Sequence, residues 1–394
     1  TMHGKVGFKR YYGTDGKLMM MPDKGYASVE YTYETPKICK DSRVQDFLNT
    51  LTLQEMTDIV VGIGMFGGET RFTLPGSVGN TTSKFWDRGL VNVALCDGPA
   101  GLRINKRSAL TKKGKIKPID LAMSVMEAFP DFFKNLMTGD PDKDTVLYQY
   151  TTAFPVANAL AQTWNTELLE QIGYAIFREM KEYGCTYWLA PALNIHRNPL
   201  CGRNFEYYSE DPRLSGAIAA AITRGVQHEE GFYVTAKHYA CNNQEFNRNR
   251  NDSRVSQRAS REIYLKGFEI CVKEAEPLTL MTSYNQINGV WGHYHFDLTQ
   301  TVLRKEWGYQ GNIITDWWMR YAPSPEFPRL TGNAYRVRAQ VDVLMPGSRH
   351  FIDLIRKPDG TLLATYKKEG GITLGELQQT AKHVLQVILK LKKL

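Results

Sequence analysis

The chain has 394 residues, of which 42% are apolar and 23% charged, and its formal net charge is +8. These proportions are typical of a globular protein with a sizeable core, and no run approaches the roughly 20 apolar residues of a membrane span. Much of the excess basic charge lies in residues 106–117 and at the C-terminus, without the interleaved aromatic side chains that stack on bases. We therefore expect no membrane segment and no nucleic-acid partner. Residues 106–117 are predicted to be a solvated loop, with an acidic partner chain as the second interpretation.

The cysteine and histidine patterns give no indication of a metal or cofactor. The six cysteines are scattered and form no CxxC pair, which disfavours a disulfide framework and a zinc site. Reduced thiols favour a cytoplasmic location, with a secreted or periplasmic protein as the alternative. His293 and His295 have metal-ligand spacing, but no third ligand is evident, so a polar loop is the preferred interpretation.

Residues 1–42 are rich in Gly, Lys and Tyr and have no clear period, which predicts an extended lead-in. Apolar runs then alternate with amphipathic stretches. The runs predict strands at 90–96, 186–193, 233–238, 278–284, 312–316 and 341–345. Capping signals predict helices from Thr52 (with Glu55), from Asn165 to Gly184, from Asp211-Pro212, over 256–275, and from Thr373 (with Glu376).

This alternation predicts an α/β protein with a parallel sheet. At this length a closed (β/α)8 barrel over residues 43–394 is favoured, with allowance for irregular or missing elements, and an open doubly wound sheet is second. The chain has no GxGxxG or GxxxxGK[ST] motif, which disfavours a nucleotide-binding sheet. Residues 104–152 separate the first strand motif from the next recognisable segment and predict an insertion at the barrel rim, within which residues 125–136 predict a short helix.

Polar side chains of catalytic type follow almost every predicted strand. They are Asp97, Asn194 with His196, Lys237 with His238, Asn285 after Tyr284, and Asp316. The carboxyl ends of barrel strands converge, so these side chains should share one pocket. Carboxylates, cations and indoles suit a polyhydroxylated ring, and a carboxylate beside Trp317 and Trp318 suits attack at an anomeric carbon.

Five motifs resemble glycoside hydrolase family 3, most closely its β-glucosidase branch. They are LCDGPAGLR (95–103), NPLCGRNFEYYSEDP (198–212), KHYACNNQEFNR (237–248), MTSYNQING (281–289) and IITDWW (313–318), in family order over roughly residues 43–350. The resemblance implies a retaining β-glucosidase that acts on terminal β-glucosyl residues. The alternatives are a β-xylosidase or other β-glycosidase, and a non-catalytic sugar-binding relative.

The resemblance assigns roles by position. Asp316 is similar to the family's nucleophile, and Tyr284 to the tyrosine that hydrogen-bonds it. Asp97, aided by Arg103, and the pair Lys237 and His238 resemble residues that hold sugar hydroxyls. The remaining positions are Arg203 and Arg248, which resemble arginines that contact the sugar and keep the nucleophile ionised, and Trp317, which is expected to line the sugar subsite. For Trp318 a core position is an equal alternative.

Two expectations concern the proton chemistry. Cations near Asp316 should depress its pKa. A retaining glycosidase also needs an acid/base carboxyl; the stretch KHYACNNQE lacks the PGH of the branch that uses histidine, and Glu206, Glu210 and Glu245 are expected to be structural. The β-glucosidase branch carries its glutamate on an α/β sandwich domain. We expect a partner chain to supply that domain here, with a truncated or inactive relative as the alternative.

Overall fold

A computed structural model describes residues 10–12, 18–20, 29–31, 42–64, 74–113, 115–120, 130–132, 134, 138–319, 333–346, 362–369 and 371–391. Within these residues no helix is both long enough and apolar enough to cross a bilayer. The strands, numbered in chain order, are β1 Arg10–Tyr12, β2 Leu18–Met20, β3 Val29–Tyr31, β4 Ile63–Gly64, β5 Gly79–Thr81, β6 Val93–Cys96, β7 Arg107–Leu110, β8 Ile116–Pro118, β9 Thr145–Tyr148, β10 Tyr187–Trp188, β11 Tyr233–Tyr239, β12 Asp252–Ser253, β13 Thr279–Thr282, β14 Gln286–Ile287, β15 Val290–Trp291 and β16 Asn312–Ile314.

The central sheet curls into a barrel. Seven strands are hydrogen-bonded in the order β16-β13-β11-β10-β6-β5-β4. Single-residue parallel bridges then join Ile314 to Val343 and Leu344 to Val61, so the segment around 343–344 links the two edges of the sheet. Eight chain segments therefore surround one core in sequence order, which confirms the predicted TIM-like barrel.

The barrel is irregular on one side. β5 runs antiparallel to both β4 and β6, whereas β6, β10, β11, β13 and β16 pair in parallel. Several strands are shorter than predicted; within residues 186–193, for example, only Tyr187–Trp188 pairs as a strand. Residues 341–345 contribute bridges in place of a regular strand.

Helices connect many of the strands along the chain. The α-helices are Ser42–Asn49, Leu53–Val60, Ala157–Ala161, Thr166–Tyr183, Pro212–Val226, Gln257–Ala259, Lys266–Ala275, Asn333–Arg338 and Leu374–Ile388, with π-helical segments at Ser260–Tyr264 and Asp297–Glu306. The capping predictions are confirmed: Thr52 and Thr373 form capping boxes, and the Asn165 and Asp211 side chains accept bonds from first-turn amides. The predicted helix over 256–275 is interrupted by the π-helical segment at Ser260–Tyr264.

Residues 106–117 are not a solvated loop, and that prediction was wrong. Strand β7 pairs antiparallel with both β8 and β9, which makes a three-stranded sheet inside the segment 104–152. Arg107 donates to both carboxylate oxygens of Asp120, which fixes part of the basic run. Residues 125–136, the predicted short helix, lie largely outside the described residues.

The lead-in contains three strands. β1 pairs antiparallel with β2, and β2 pairs antiparallel with β3. This segment is therefore extended as predicted, but its described residues form a small sheet.

A buried ion network ties the last helix to the barrel. Asp342 is fully buried and accepts bonds from Arg304 Nη2 at 2.6 Å and from the backbone amide of Ile313 at 2.7 Å. Its second oxygen lies 2.8 Å from Nδ1 of His383, on the helix Leu374–Ile388. Burial lowers the pKa of His383, with the nearby charge of Arg304 acting in the same direction.

Candidate functional site

The Asp316 carboxylate lies in the barrel, two residues after the end of β16. Its side chain is 11% exposed. Oδ1 accepts the backbone amide of Trp317 at 2.7 Å. Oδ2 is buried, has no hydrogen-bond partner in the part of the chain that the structure describes, and lies 3.6 Å from Nε2 of His238. One oxygen is thus fixed by the backbone and the other is free to react.

The expected depression of the Asp316 pKa was wrong. Burial raises the pKa of this carboxyl, and the charges of Arg203, Arg248 and Lys237 reduce that effect without reversing it. The sequence shows the cations but not the depth of the carboxylate, and desolvation of a buried acid favours its neutral form.

Asp97 follows β6 and is held by two cations. Its Oδ1 accepts from Nζ of Lys237 at 2.9 Å, and its Oδ2 accepts from Nη2 of Arg103. Burial alone would raise the pKa of Asp97, but Lys237 and Arg103 outweigh it and lower the pKa to about 2. Asp97 is therefore a permanent anion at neutral pH, suited to accept hydrogen bonds from hydroxyl groups.

The turn after Asp97 requires glycine at two positions. Gly98 and Gly101 have φ of +118° and +117°. A Cβ on Gly98 would lie 2.1 Å from the carbonyl oxygen of Gly101, and one on Gly101 would lie 2.1 Å from that of Thr152. This turn brings Arg103 back to pair with Asp97 through the backbone as well as the side chain.

Lys237 and His238 are buried near the end of β11, with 3% and 1% exposure. The register with β13 shifts between Ala236 and Tyr239, so the strand is irregular where these two residues lie. Consecutive residues thereby reach two anions, because Lys237 contacts Asp97 and His238 lies beside Asp316.

The imidazole of His238 is surrounded by cations. Its Nε2 lies 3.0 Å from Nη2 of Arg203, and its Nδ1 lies 3.3 Å from the hydroxyl of Tyr207. Burial lowers the pKa of His238 well below its usual value, and Arg203, Lys237 and Arg248 act in the same direction. The ring is therefore neutral near pH 7.

Two arginines are anchored by two glutamates. Arg203 donates through Nε to Glu206, and its Nη1 lies 3.6 Å from Glu245. Arg248 donates to Glu245 at 2.9 Å. Burial opposes the charge of Arg203, but Tyr207 and Glu206 raise its pKa above the usual value. Glu206 and Glu245 are thus partners of arginines, while Glu210 is exposed.

Tyr284 and Trp317 lie beside Asp316 and are hydrogen-bonded to each other. The hydroxyl of Tyr284 donates to the carbonyl oxygen of Trp317 at 2.6 Å and also interacts with the Asp316 carboxylate, the partner that the resemblance implies. Burial raises the pKa of Tyr284, and the charge of nearby Asp316 adds to it. Arg248 lies over the Tyr284 ring, 4.1 Å from its centroid, and the indole of Trp317 donates to the carbonyl of Val78 at 3.0 Å.

Two other sequence interpretations change. Trp318 is 41% exposed, so the core alternative was wrong. His293 and His295 are buried, and His293 lies in a short 3-10 helix with Nδ1 accepting from Arg336, so the polar-loop interpretation was wrong as well. Among the described residues, no group of three or more His, Cys, Asp or Glu is placed to hold a metal ion.

Three residues that shape the site were given no specific role from the sequence. The indole of Trp188 donates to the carbonyl of Gly98 at 2.8 Å and so supports the Asp97 turn. Asn194 bonds the backbone of His238, and Tyr207 bonds its ring. Asn194 was visible as a polar strand end, whereas nothing in the sequence distinguished Trp188 or Tyr207 from core aromatics.

The nine predicted site residues occupy one end of the barrel and are linked by one continuous series of contacts. Lys237 joins Asp97 to its neighbour His238, which contacts Arg203 and lies beside Asp316. The amide of Trp317 bonds Asp316, and the carbonyl of Trp317 accepts from Tyr284, whose ring lies against Arg248. A cavity of about 200 Å³ adjoins the Asp97 turn and is lined in part by Arg103, Phe205 and Glu206. Anions, cations and a neutral imidazole arranged in this way can satisfy several hydroxyl groups and present a free carboxylate oxygen to an electrophilic carbon.

The chain matches known proteins along most of its length. The family model described as "Glycosyl hydrolase family 3 N terminal domain" matches residues 141–387. Beta-glucosidase A of Butyrivibrio fibrisolvens is 39% identical over 275 residues, which are 70% of this chain and 27% of that protein. An exo-alpha-(1->6)-L-arabinopyranosidase of Bifidobacterium longum is 48% identical over 230 residues, 58% of this chain and 26% of that protein.

A solved structure agrees with the fold. Beta-glucosidase 3B from Thermotoga neapolitana in complex with glucose superposes with a TM-score of 0.70 at 38% identity, covering 88% of this chain and 42% of that one. This chain spans about a quarter of the length of the curated relatives it matches. With the family model matched over most of the barrel, the chain belongs to glycosyl hydrolase family 3, in its beta-glucosidase-type group.

Proposed function

We propose that this chain is the sugar-binding barrel of a retaining, exo-acting β-glucosidase. In this proposal Asp316 Oδ2 attacks the anomeric carbon of a terminal glucosyl residue, and a covalent glycosyl ester forms as the aglycone leaves with a proton from a general acid. Water, deprotonated by the same acid/base, then attacks the anomeric carbon and releases the sugar and the Asp316 carboxylate.

One observation carries the proposal. Asp316 is buried with Oδ1 fixed by the Trp317 amide and Oδ2 without a partner among the described residues. A carboxylate that served only to hold the fold would be expected to have both oxygens bonded, because an unpaired buried acceptor is costly. The permanent anion Asp97 and its partner Lys237 support a role in gripping hydroxyl groups nearby.

Replacing Asp316 by Asn separates the enzyme from a sugar-binding relative. In the native, active preparation we expect D316N to lose turnover of an aryl β-glucoside on the order of 10⁴-fold, while the dissociation constant for glucose changes little. Turnover that survives in D316N would remove Asp316 from the nucleophile role.

A second substrate has a specific observation in its favour. The Bifidobacterium longum relative named for exo-α-(1→6)-L-arabinopyranosidase activity shares 48% identity, more than the 39% of the Butyrivibrio fibrisolvens β-glucosidase. The ratio of kcat/KM for matched aryl β-glucoside, β-xyloside and α-L-arabinopyranoside substrates decides among them. A higher value for the arabinopyranoside would replace glucose in the proposal, and a higher value for the xyloside would favour the β-xylosidase alternative.

We also propose that the general acid/base is a glutamate outside this chain, on an α/β sandwich domain of a partner polypeptide. Glu206 and Glu245, which lie in the site, are engaged by Arg203 and Arg248, and this supports a donor from elsewhere. Size-exclusion of native material with assay of each fraction tests the idea. A fully active species with the mass of this chain alone would contradict it.

A further inference from the structure

The hydrogen bonds around His238 determine which ring nitrogen carries its proton. His238 is 1% exposed, so the neighbours in the protein fix the positions of its donors and acceptors. Two side chains, Arg203 on one side and Asn194 on the other, give independent evidence for which ring nitrogen is protonated.

The contact with Arg203 shows which nitrogen is the acceptor. Nη2 of Arg203 lies 3.0 Å from Nε2 of His238. A guanidinium has donors only, so Nε2 must be the acceptor and carries a lone pair instead of a proton.

The contact with Asn194, which is 2% exposed, shows which nitrogen is the donor. Nδ2 of Asn194 donates to the carbonyl oxygen of His238 at 2.9 Å, and its Oδ1 accepts the amide of His238 at 2.9 Å. These two backbone bonds fix the orientation of the amide, because the reverse orientation would place donor against donor and acceptor against acceptor. The same Oδ1 lies 3.4 Å from Nδ1, so Nδ1 faces an acceptor and must carry the proton.

We infer that Asn194 is a positioning residue that holds His238 as its neutral Nδ1–H tautomer, so that no proton on Nε2 can bond to Asp316. The consequence lies 3.6 Å away, where Oδ2 of Asp316 faces Nε2 and keeps its lone pairs for the reaction. The lowered pKa of His238 agrees with a neutral ring. The significance for catalysis rests on the proposed function, whereas the tautomer itself does not.

Tyr207 is the competing candidate for the same task. Its hydroxyl lies 3.3 Å from Nδ1 and accepts from Nδ2 of Asn242 at 3.1 Å. A hydroxyl can donate or accept, so it accommodates either tautomer and cannot by itself select one. The charged groups that act on the ring are Arg203, Lys237, Arg248 and Asp316.

Ring-nitrogen NMR of the chain labelled with ¹⁵N at histidine tests the inference, with His238→Gln to assign the signal. We expect Nε2 unprotonated and Nδ1 protonated from about pH 5 to about pH 8. Y207F should leave this pattern unchanged. N194D should place a carboxylate beside Nδ1 and raise the pKa of the ring, so that a doubly protonated ring forms within the same range.

A wild-type ring protonated at Nε2 would overturn the inference, and so would a tautomer that changes in Y207F but not in N194D. Far-UV circular dichroism confirms that each variant is folded. Because the readout needs no substrate, it is independent of whether the proposed function is correct. In the native preparation, N194D should also lose kcat as the pH falls and the Nε2 proton engages Asp316, with KM changing less.

Discussion

At the scale of single residues, the site contains two carboxylates with opposite environments. Lys237 and Arg103 lower the pKa of Asp97 to about 2, whereas burial raises the pKa of Asp316. Two similar groups therefore differ because one has two direct cationic partners and the other has none within hydrogen-bonding distance among the described residues. This division suits an anion that grips hydroxyls and a nucleophile that is poorly solvated.

Asp97 should stabilise the fold in a pH-dependent manner. Its folded pKa of about 2 lies below the ordinary value of 3.8, so the stabilisation is present above about pH 4 and is lost as the pH falls toward 2. The shift corresponds to a contribution on the order of 2 kcal/mol. Urea unfolding of wild type and Asp97→Asn should show a difference in stability at pH 7 that shrinks by about this amount between about pH 4 and pH 2; a constant difference would contradict the pairing.

Asp316 should behave in the opposite way. A buried acid with a raised pKa destabilises the folded protein when it ionises, and the favourable contribution below its unfolded pKa is lost as the pH rises through the folded value. Asp316→Asn should therefore increase the free energy of unfolding at pH 7 and give no increase near pH 3, while turnover is lost. A destabilised D316N at pH 7 would mean that the cations around Asp316 outweigh its burial.

At the scale of elements, local signals were predictable and tertiary ones were not. The caps at Thr52, Asn165, Asp211 and Thr373 depend on residues within one turn, and all four are present. β5 was missed because Gly-Asn-Thr lacks the β-branched apolar character of a buried strand. The sheet of the insertion was missed because lysines dominate residues 106–117, where pairing with β9 decides the structure.

The candidate site was predictable to the same extent. Strand-end position and motif predicted that these nine residues lie together, because the carboxyl ends of barrel strands must converge; their roles stay predictions. Their full set of bonds was not predictable, since the Tyr284 hydroxyl also donates to the Trp317 carbonyl and the backbone of His238 is held by Asn194, which is 44 positions away.

The ion network at Asp342 should hold the last helix on the barrel. Arg304 and Asp342 are 3% and 0% exposed, and removing one member of a buried pair leaves the other charge uncompensated. Asp342→Asn should lower the free energy of unfolding by roughly 3 kcal/mol in urea. As a control, Glu262→Gln breaks the exposed Arg258–Glu262 pair, with side chains 84% and 59% exposed, and should change stability by less than about 1 kcal/mol. Equal effects of the two variants would refute the role of the network.

At the scale of the whole molecule, eight segments form the barrel, which is closed by the bridges Ile314–Val343 and Val61–Leu344. The candidate sugar-binding residues and the candidate nucleophile all lie on this barrel. Under the proposed function the barrel binds the sugar and forms the covalent intermediate, and a glutamate outside these residues transfers the proton.

If the proton donor lies outside the barrel, the activity of the isolated chain should depend on the leaving group. Without the acid, the chain alone should release dinitrophenolate from a β-glucoside but should not release an alkyl alcohol, which needs protonation as it departs. The native preparation should release both. The first-order rates of the two substrates, measured with and without the partner, check this, and equal activity of the isolated chain on both would place the acid within these 394 residues.

The most direct measurement is covalent trapping on the isolated chain. A dinitrophenyl β-glucoside with fluorine in place of the hydroxyl beside the anomeric carbon forms the glycosyl ester without an acid and slows its hydrolysis. Peptide mass spectrometry should find one fluoroglucosyl group, on Asp316, and none in Asp316→Asn. A label on another residue, or none on folded chain that binds glucose, would contradict the assignment of Asp316 as the nucleophile.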